Sequence, residues 1–161
     1  MTVTVENLDT VTQRDYVAAL YEQGCGLVIY NEYVPISHGT EALAMDRERQ
    51  QVLMTRLAKL QADKAFKGMI LIAFPGNEEY MGGCLAAGRG FFHISQSGGA
   101  EPCPFSPISV VNVADVGIRG ALESPFFARV REVEAAHADE HLGGCTLFLH
   151  RDEVLRAVDA D

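Results

Sequence analysis

Hydrophobic and polar positions along the chain fall into two regimes that meet near residue 78. Over residues 2–5 apolar and β-branched side chains alternate, the pattern of a strand. A helix is predicted next, with Thr12 as N-cap, Asp15 three residues on, and Tyr16, Val17, Leu20 and Tyr21 on its apolar face. Gly24 stands where a C-cap glycine belongs. Residues 26–30, GLVIY, form an unbroken apolar run, the composition of a strand covered on both faces. Pro35 and Gly39 mark a loop before a long helix over residues 41–64. Its buried face is Val52, Leu53, Leu57 and Leu60, while Arg47, Arg49, Lys59 and Lys64 stay in water. A further buried strand, MILIAF over residues 69–74, is stopped by Pro75 and Gly76. Strand, helix, strand, helix, strand at this spacing is βαβαβ with a parallel sheet.

Past Gly76 the periodicity fades. Residues 77–115 show no helical period, and glycine and proline recur among them. Residues 90–95, GFFHIS, the turn Gln96-Ser97-Gly98-Gly99 and residues 100–103 read as a short hairpin. Ser124 as N-cap and Pro125 at the first helical position open a helix with Phe126, Phe127, Val130 and Val133 inward. Residues 137–141 are polar, a helix end or loop, and a last short helix over 152–158 runs into an acidic terminus. No internal repeat is visible. The expected class is α/β: a partial (β/α) barrel segment over residues 1–78, then a small loop-rich α+β domain with a β-hairpin over residues 79–161.

Composition narrows the function classes. The 161 residues are 48% hydrophobic and 22% charged, an ordinary globular mix for one domain or two small ones. A formal charge of -9 argues against a general nucleic-acid or anionic-membrane binder, because phosphate binding depends on clustered Lys and Arg. No apolar run approaches the roughly 20 residues that cross a bilayer. The opening MTVTVENLDT has neither a basic segment nor an apolar core, so no signal peptide is expected and a reducing, cytoplasmic setting is. A complete (β/α)8 barrel takes about 200 residues or more, so the chain holds at most part of one.

Four cysteines carry the candidate chemistry. Cys25 precedes a strand, at the edge of the sheet opposite to the one where ligands collect, and reads as a core residue. Cys84, Cys103 and Cys145 each stand beside glycine or proline, in GGC, EPCP and GGC. Glycine permits close backbone approach and unusual φ, both useful where an inorganic group sits against the chain. Three readings satisfy the residues alone. The thiols are small buried hydrophobes; or they bind zinc with His93, His137 or His141, although no C-x-x-C pair is present; or they hold an iron–sulfur cluster, which takes thiolates from separate loops.

Residues 80–105, YMGGCLAAGRGFFHISQSGGAEPCPF, resemble the cluster-binding C-terminal extension of radical S-adenosylmethionine enzymes, of the SPASM or shorter twitch type. That extension opens with a cysteine, a spacer, a glycine, four residues and a second cysteine. Cys84, thirteen residues, Gly98, four residues and Cys103 satisfy it. The GGC at Cys145 followed by TLFLHRDEV resembles the closing cysteine, and IRGALESPFF over residues 118–127 resembles the intervening helix. TVTVENL, a helix and GLVIYNEYVPI resemble the fifth and sixth strands of the family's partial barrel.

The resemblance implies the rear part of such an enzyme, with one auxiliary [4Fe-4S] cluster on Cys84, Cys103 and Cys145. The C-x3-C-x2-C that binds the catalytic cluster is absent from these residues, as are the glycine-rich contacts to S-adenosylmethionine. The reductive cleavage of that cofactor therefore needs a missing N-terminal half, which is one implied partner; a protein or peptide substrate is the other. Asn7 and Glu32 fall just beyond strands, at the end where such barrels hold ligands, and are the candidate contacts to S-adenosylmethionine or substrate. Arg89 is a candidate to balance an anionic cluster. His137 and His141, four apart, have a metal-compatible spacing but read better as a solvated turn. The alternative from another class is a non-enzymatic α/β module that binds zinc or a partner.

Overall fold

The computed structural model describes residues 1–36, 38–137 and 145–158, without the side chains of Asn77, Glu79 and Tyr80. The fold is mixed α/β with a parallel three-stranded sheet, and it divides into two units. One comprises Met1–Asn77; the other comprises Glu78–His141 and Cys145–Asp161. His141, one of the candidate ligands, lies outside the described residues.

In the first unit the sheet runs β1 (Thr2–Val3), β2 (Leu27–Glu32), β3 (Ile70–Phe74), in that order across the sheet. Both pairings are parallel, with Val3 beside Glu32 and Leu27 beside Ile70. The predicted first helix is two: α1 (Leu8–Val11) and α2 (Arg14–Glu22). Thr12 caps neither N-terminus. Its hydroxyl donates to the Leu8 carbonyl at 2.6 Å and closes α1, while Gln13 precedes α2. Gly24 does end α2, at φ 86°, a value that suits glycine.

The long helix expected over residues 41–64 is shorter. A 3-10 turn, Glu41–Leu43, precedes α3 (Arg47–Gln61), and another, Lys64–Phe66, follows it. The breaks are made by aspartates. Asp46 accepts from the Arg49 amide and Asp63 from the Ala65 amide, so each starts a new turn. Leu53, Leu57 and Leu60 are buried from α3, as the period predicts.

The run GLVIY is not covered on both faces. Along β2 burial alternates: Val28, Tyr30 and Glu32 are buried, whereas Leu27 and Ile29 are 49% and 42% exposed. Val11, Val17, Leu53, Leu57, Leu60, Phe66 and Met69 pack with the inward set into one core. Helices thus cover one face of the sheet and leave an apolar face, Leu27, Ile29 and Ile70, open to water.

The second unit is held by turns and short elements. A 3-10 segment, Gly76–Met81, leads into it. The expected hairpin is present as β4 (His93–Ile94) and β5 (Ala100–Glu101), paired antiparallel around Gly98 at φ 86°. Helix α4 (Val113–Leu122) begins where no helical period was legible. Asn112 caps it, and Gly117, at φ 70°, kinks it. Helix α5 (Pro125–Ala136) starts as predicted, with the Ser124 hydroxyl accepting from the Phe127 amide and Phe126, Phe127 and Val130 fully buried. The last helix, expected over residues 152–158, is present over Arg151–Arg156, and a further short one, Thr146–Leu149, precedes it; they are α7 and α6. Among the described residues, no helix is long and apolar enough to cross a membrane.

Candidate thiol and carboxylate site

Cys84 lies in a loop that only glycine-rich sequence permits. Gly82, Gly83 and Gly88 take φ of 76°, 105° and 82°, and Ala87 follows the same left-handed course at 49°. Arg89 fastens this loop: its guanidinium donates to the carbonyls of Met81 at 2.7 Å and of Gly82 and Cys84 at 3.0 Å. Glu78 holds the loop from the other end. Its Oε1 accepts from the Leu85 amide at 3.1 Å and its carbonyl from the Gly83 amide at 3.0 Å. The Ala87 amide then donates to the Pro102 carbonyl, tying the Cys84 loop to the segment bearing Cys103. Cys145 stands immediately before α6, its carbonyl accepting from Phe148 and Leu149.

All three cysteines are buried thiols, at 6%, 3% and 7% exposure. Burial pushes each up in pKa: Cys84 furthest, Cys103 to about 11 and Cys145 to about 12. Nearby negative charge adds to this. Glu78 acts on all three, Glu134 on Cys84 and Cys103, and Cys103 on Cys145. Glu78 is thus the one carboxylate within electrostatic reach of all three sulfurs among the described groups.

Backbone amides act on each of these thiols: Ala86 on Cys84, Phe105 on Cys103, and Phe148, then Leu147, on Cys145. These bonds favour the thiolate. Cys25 does the reverse, its sulfur donating to the Leu27 carbonyl at 3.3 Å. It is half-buried beside the core, as its sequence position implied.

Glu134, on the inward stripe of α5 one turn after Val130, is only 3% exposed. Its pKa is pushed up to about 7, first by burial, against the lowering effect of hydrogen bonding to Cys84. Sequence reading passed over both Glu78 and Glu134, since carboxylates default to solvent. For Glu134 the spacing Phe126, Phe127, Val130, Glu134 was the available signal; Glu78 offered none.

The other candidates have structural employment. Asn7 closes the turn into α1: its Oδ1 accepts from the Thr4 amide at 2.9 Å and its Nδ2 donates to the Thr2 carbonyl at 3.1 Å. Glu32 is the last residue of β2 rather than a loop residue beyond it. It is buried, and its Oε1 accepts from the Gly76 amide at 3.0 Å. His93 pairs with Glu101 across the hairpin, Nδ1 to Oε2 2.7 Å. His137 ends α5 and meets Glu153 Oε1 at 3.2 Å, while His150 reaches the same oxygen at 3.3 Å. The two imidazoles stack at 3.3 Å, 15° apart.

Among the described residues, His137, His150 and Glu153 are the one group of three ligand-type side chains whose donor atoms lie within 4.8 Å. Parallel stacked rings send their in-plane lone pairs side by side rather than toward a common ion. The trio therefore clasps the end of α5 to α7. The cysteines do not meet that spacing, whereas a single zinc ion with bonds of about 2.3 Å would draw its ligands to within about 4 Å. Comparison of the chain with protein-family models, with curated proteins and with solved structures gives no match.

Proposed function

We propose that the chain is the C-terminal part of a radical S-adenosylmethionine enzyme, a segment of a partial (β/α) barrel followed by a twitch-like domain. In this reading Cys84, Cys103 and Cys145 hold an auxiliary [4Fe-4S] cluster. The observation that carries it is the shared setting of those three thiols: all are buried, each has a backbone amide that favours its thiolate, and all feel the charge of Glu78. Amide bonds to sulfur are among the interactions that tune such clusters. Arginine and glutamate brace the Cys84 loop, so the sulfur is held by a preset backbone. The chemistry the cluster supplies is electron transfer or anchoring of substrate. The chain's own part is to position thiolates and exclude water.

The 161 residues contain no C-x3-C-x2-C, so cleavage of S-adenosylmethionine requires another segment or chain. Anaerobic reconstitution with iron and sulfide should give roughly four irons per chain and a sulfur-to-iron charge-transfer band. Cys103→Ala should remove the band. Stoichiometric zinc with no iron uptake would overturn the assignment.

A second reading, a partner-binding α/β module, is favoured by the open apolar face of Leu27, Ile29 and Ile70. An unchanged sedimentation coefficient over a wide concentration range, with no metal bound, would count against both readings.

A further inference from the structure

We propose that Glu134 is the fourth protein ligand of this centre, giving one iron a carboxylate oxygen where the other three take thiolates. The inference rests on the cluster reading above. It begins from a cost: both oxygens of the Glu134 carboxyl are buried, and neither meets a strong donor. The group it faces is the Cys84 thiol, a weak donor. Burying a carboxylate without strong donors is costly, so such a group is retained where a cation or metal takes it up.

The nearby cations, Arg89 and Arg131, act on it through space. Arg89 directs its N–H groups to the carbonyls of Met81, Gly82 and Cys84, and Nη1 of Arg131 donates to those of Ala87 and Leu122. Glu78 is a poorer candidate, since the Leu85 amide already occupies its Oε1. Three thiolates leave one corner of a four-iron cubane without a protein ligand, and a carboxylate is a competent donor to iron. Helix α5 is anchored by Phe126, Phe127 and Val130, all fully buried, so it presents Glu134 from a rigid element.

The test uses the full chain reconstituted anaerobically with iron and sulfide, then reduced for electron paramagnetic resonance, with imidazole as an added ligand. The unmodified chain should bind about four irons and give a signal that imidazole does not shift. Glu134→Ala should keep its far-ultraviolet circular dichroism and its cluster, yet give a shifted signal that moves again with imidazole. Glu134→Cys should restore insensitivity to imidazole and lower the midpoint potential. Spectra and potentials of Glu134→Ala and Glu134→Gln that superimpose on the unmodified chain, irons retained, overturn the inference. So does an imidazole-dependent shift in the unmodified chain, which needs no variant to fold. Absence of iron uptake by the unmodified chain instead overturns the cluster reading beneath it.

Discussion

The amide of Ala87 donates a 3.0 Å hydrogen bond to the carbonyl of Pro102, so the residue three beyond Cys84 is fixed to the residue just before Cys103. Two cysteines nineteen positions apart are thereby placed by backbone alone. Ala87 is completely buried and holds φ 49°. A β-branched side chain is badly strained there. Ala87→Val should cost about 2–3 kcal/mol in urea unfolding, while Ala87→Gly should stay within about 1 kcal/mol. Equal losses in the two variants would show that packing, not backbone conformation, governs the position.

A similar close approach is found in the sheet unit. The Gly76 amide reaches Glu32 Oε1, and a Cβ on Gly76 would stand 2.5 Å from that oxygen and 3.1 Å from the Met54 sulfur. Gly76→Ala should therefore destabilise the chain by about 1–3 kcal/mol. Glu32→Ala removes the obstructing carboxyl and the amide's acceptor together. In a double-mutant cycle the pair should cost less than the sum of the singles. Strict additivity in chemical denaturation would contradict the contact.

The clasp at the end of α5 predicts a pH dependence. Hydrogen bonds from His137, and then His150, hold the Glu153 carboxyl below its ordinary value. A carboxyl depressed in the folded state contributes stability above its unfolded pKa and loses it as pH falls through the folded one. The melting-temperature difference between the chain and Glu153→Gln should thus be present near neutrality and shrink through the acid range below about 4.5. Because Glu153 is partly exposed, the difference should also narrow in high salt. A gap that persists at low pH would assign Glu153 a packing role instead.

The parallel βαβαβ order, the hairpin and the Ser124-Pro125 helix start were all legible, because each rests on local signals: apolar runs, a Gly-Gly turn and a cap with proline behind it. Errors arose where a local pattern had two outlets. Thr12 is as good at closing α1 through the Leu8 carbonyl as at opening a helix. Asp46 and Asp63 lie inside an otherwise continuous helical pattern, and only their bonds to Arg49 and Ala65 show them to be caps. The first part of helix α4 was hidden because Gly117 interrupts its period, and the rest was expected only from the resemblance of residues 118–127. The cysteines announced themselves by their glycine and proline neighbours, but the carboxylates beside them could not. Burial of Glu78 and Glu134 is decided by tertiary packing, and so is the meeting of His137 with His150 across two helices.

The uncovered face of the sheet leads to the last prediction. Leu27 and Ile70 are paired in register on neighbouring strands, Ile29 lies two residues along the same face of β2, and the three are 49%, 52% and 42% exposed. Parallel sheets are ordinarily covered on both sides, so an open apolar face of this kind favours association. Ile29→Thr with Ile70→Thr removes little buried area and keeps β-branched side chains in both strands. The double variant should change unfolding free energy by less than about 1 kcal/mol. It should also bind less of a hydrophobic dye and sediment closer to a monomer than the unmodified chain. Val28→Thr, on the covered face only one residue away, should do the opposite: leave association unchanged and cost about 1–2 kcal/mol, because it places a hydroxyl in the core. Should Ile29→Thr and Val28→Thr prove equally destabilising, both faces of β2 are packed in solution, and the apolar face has found a cover.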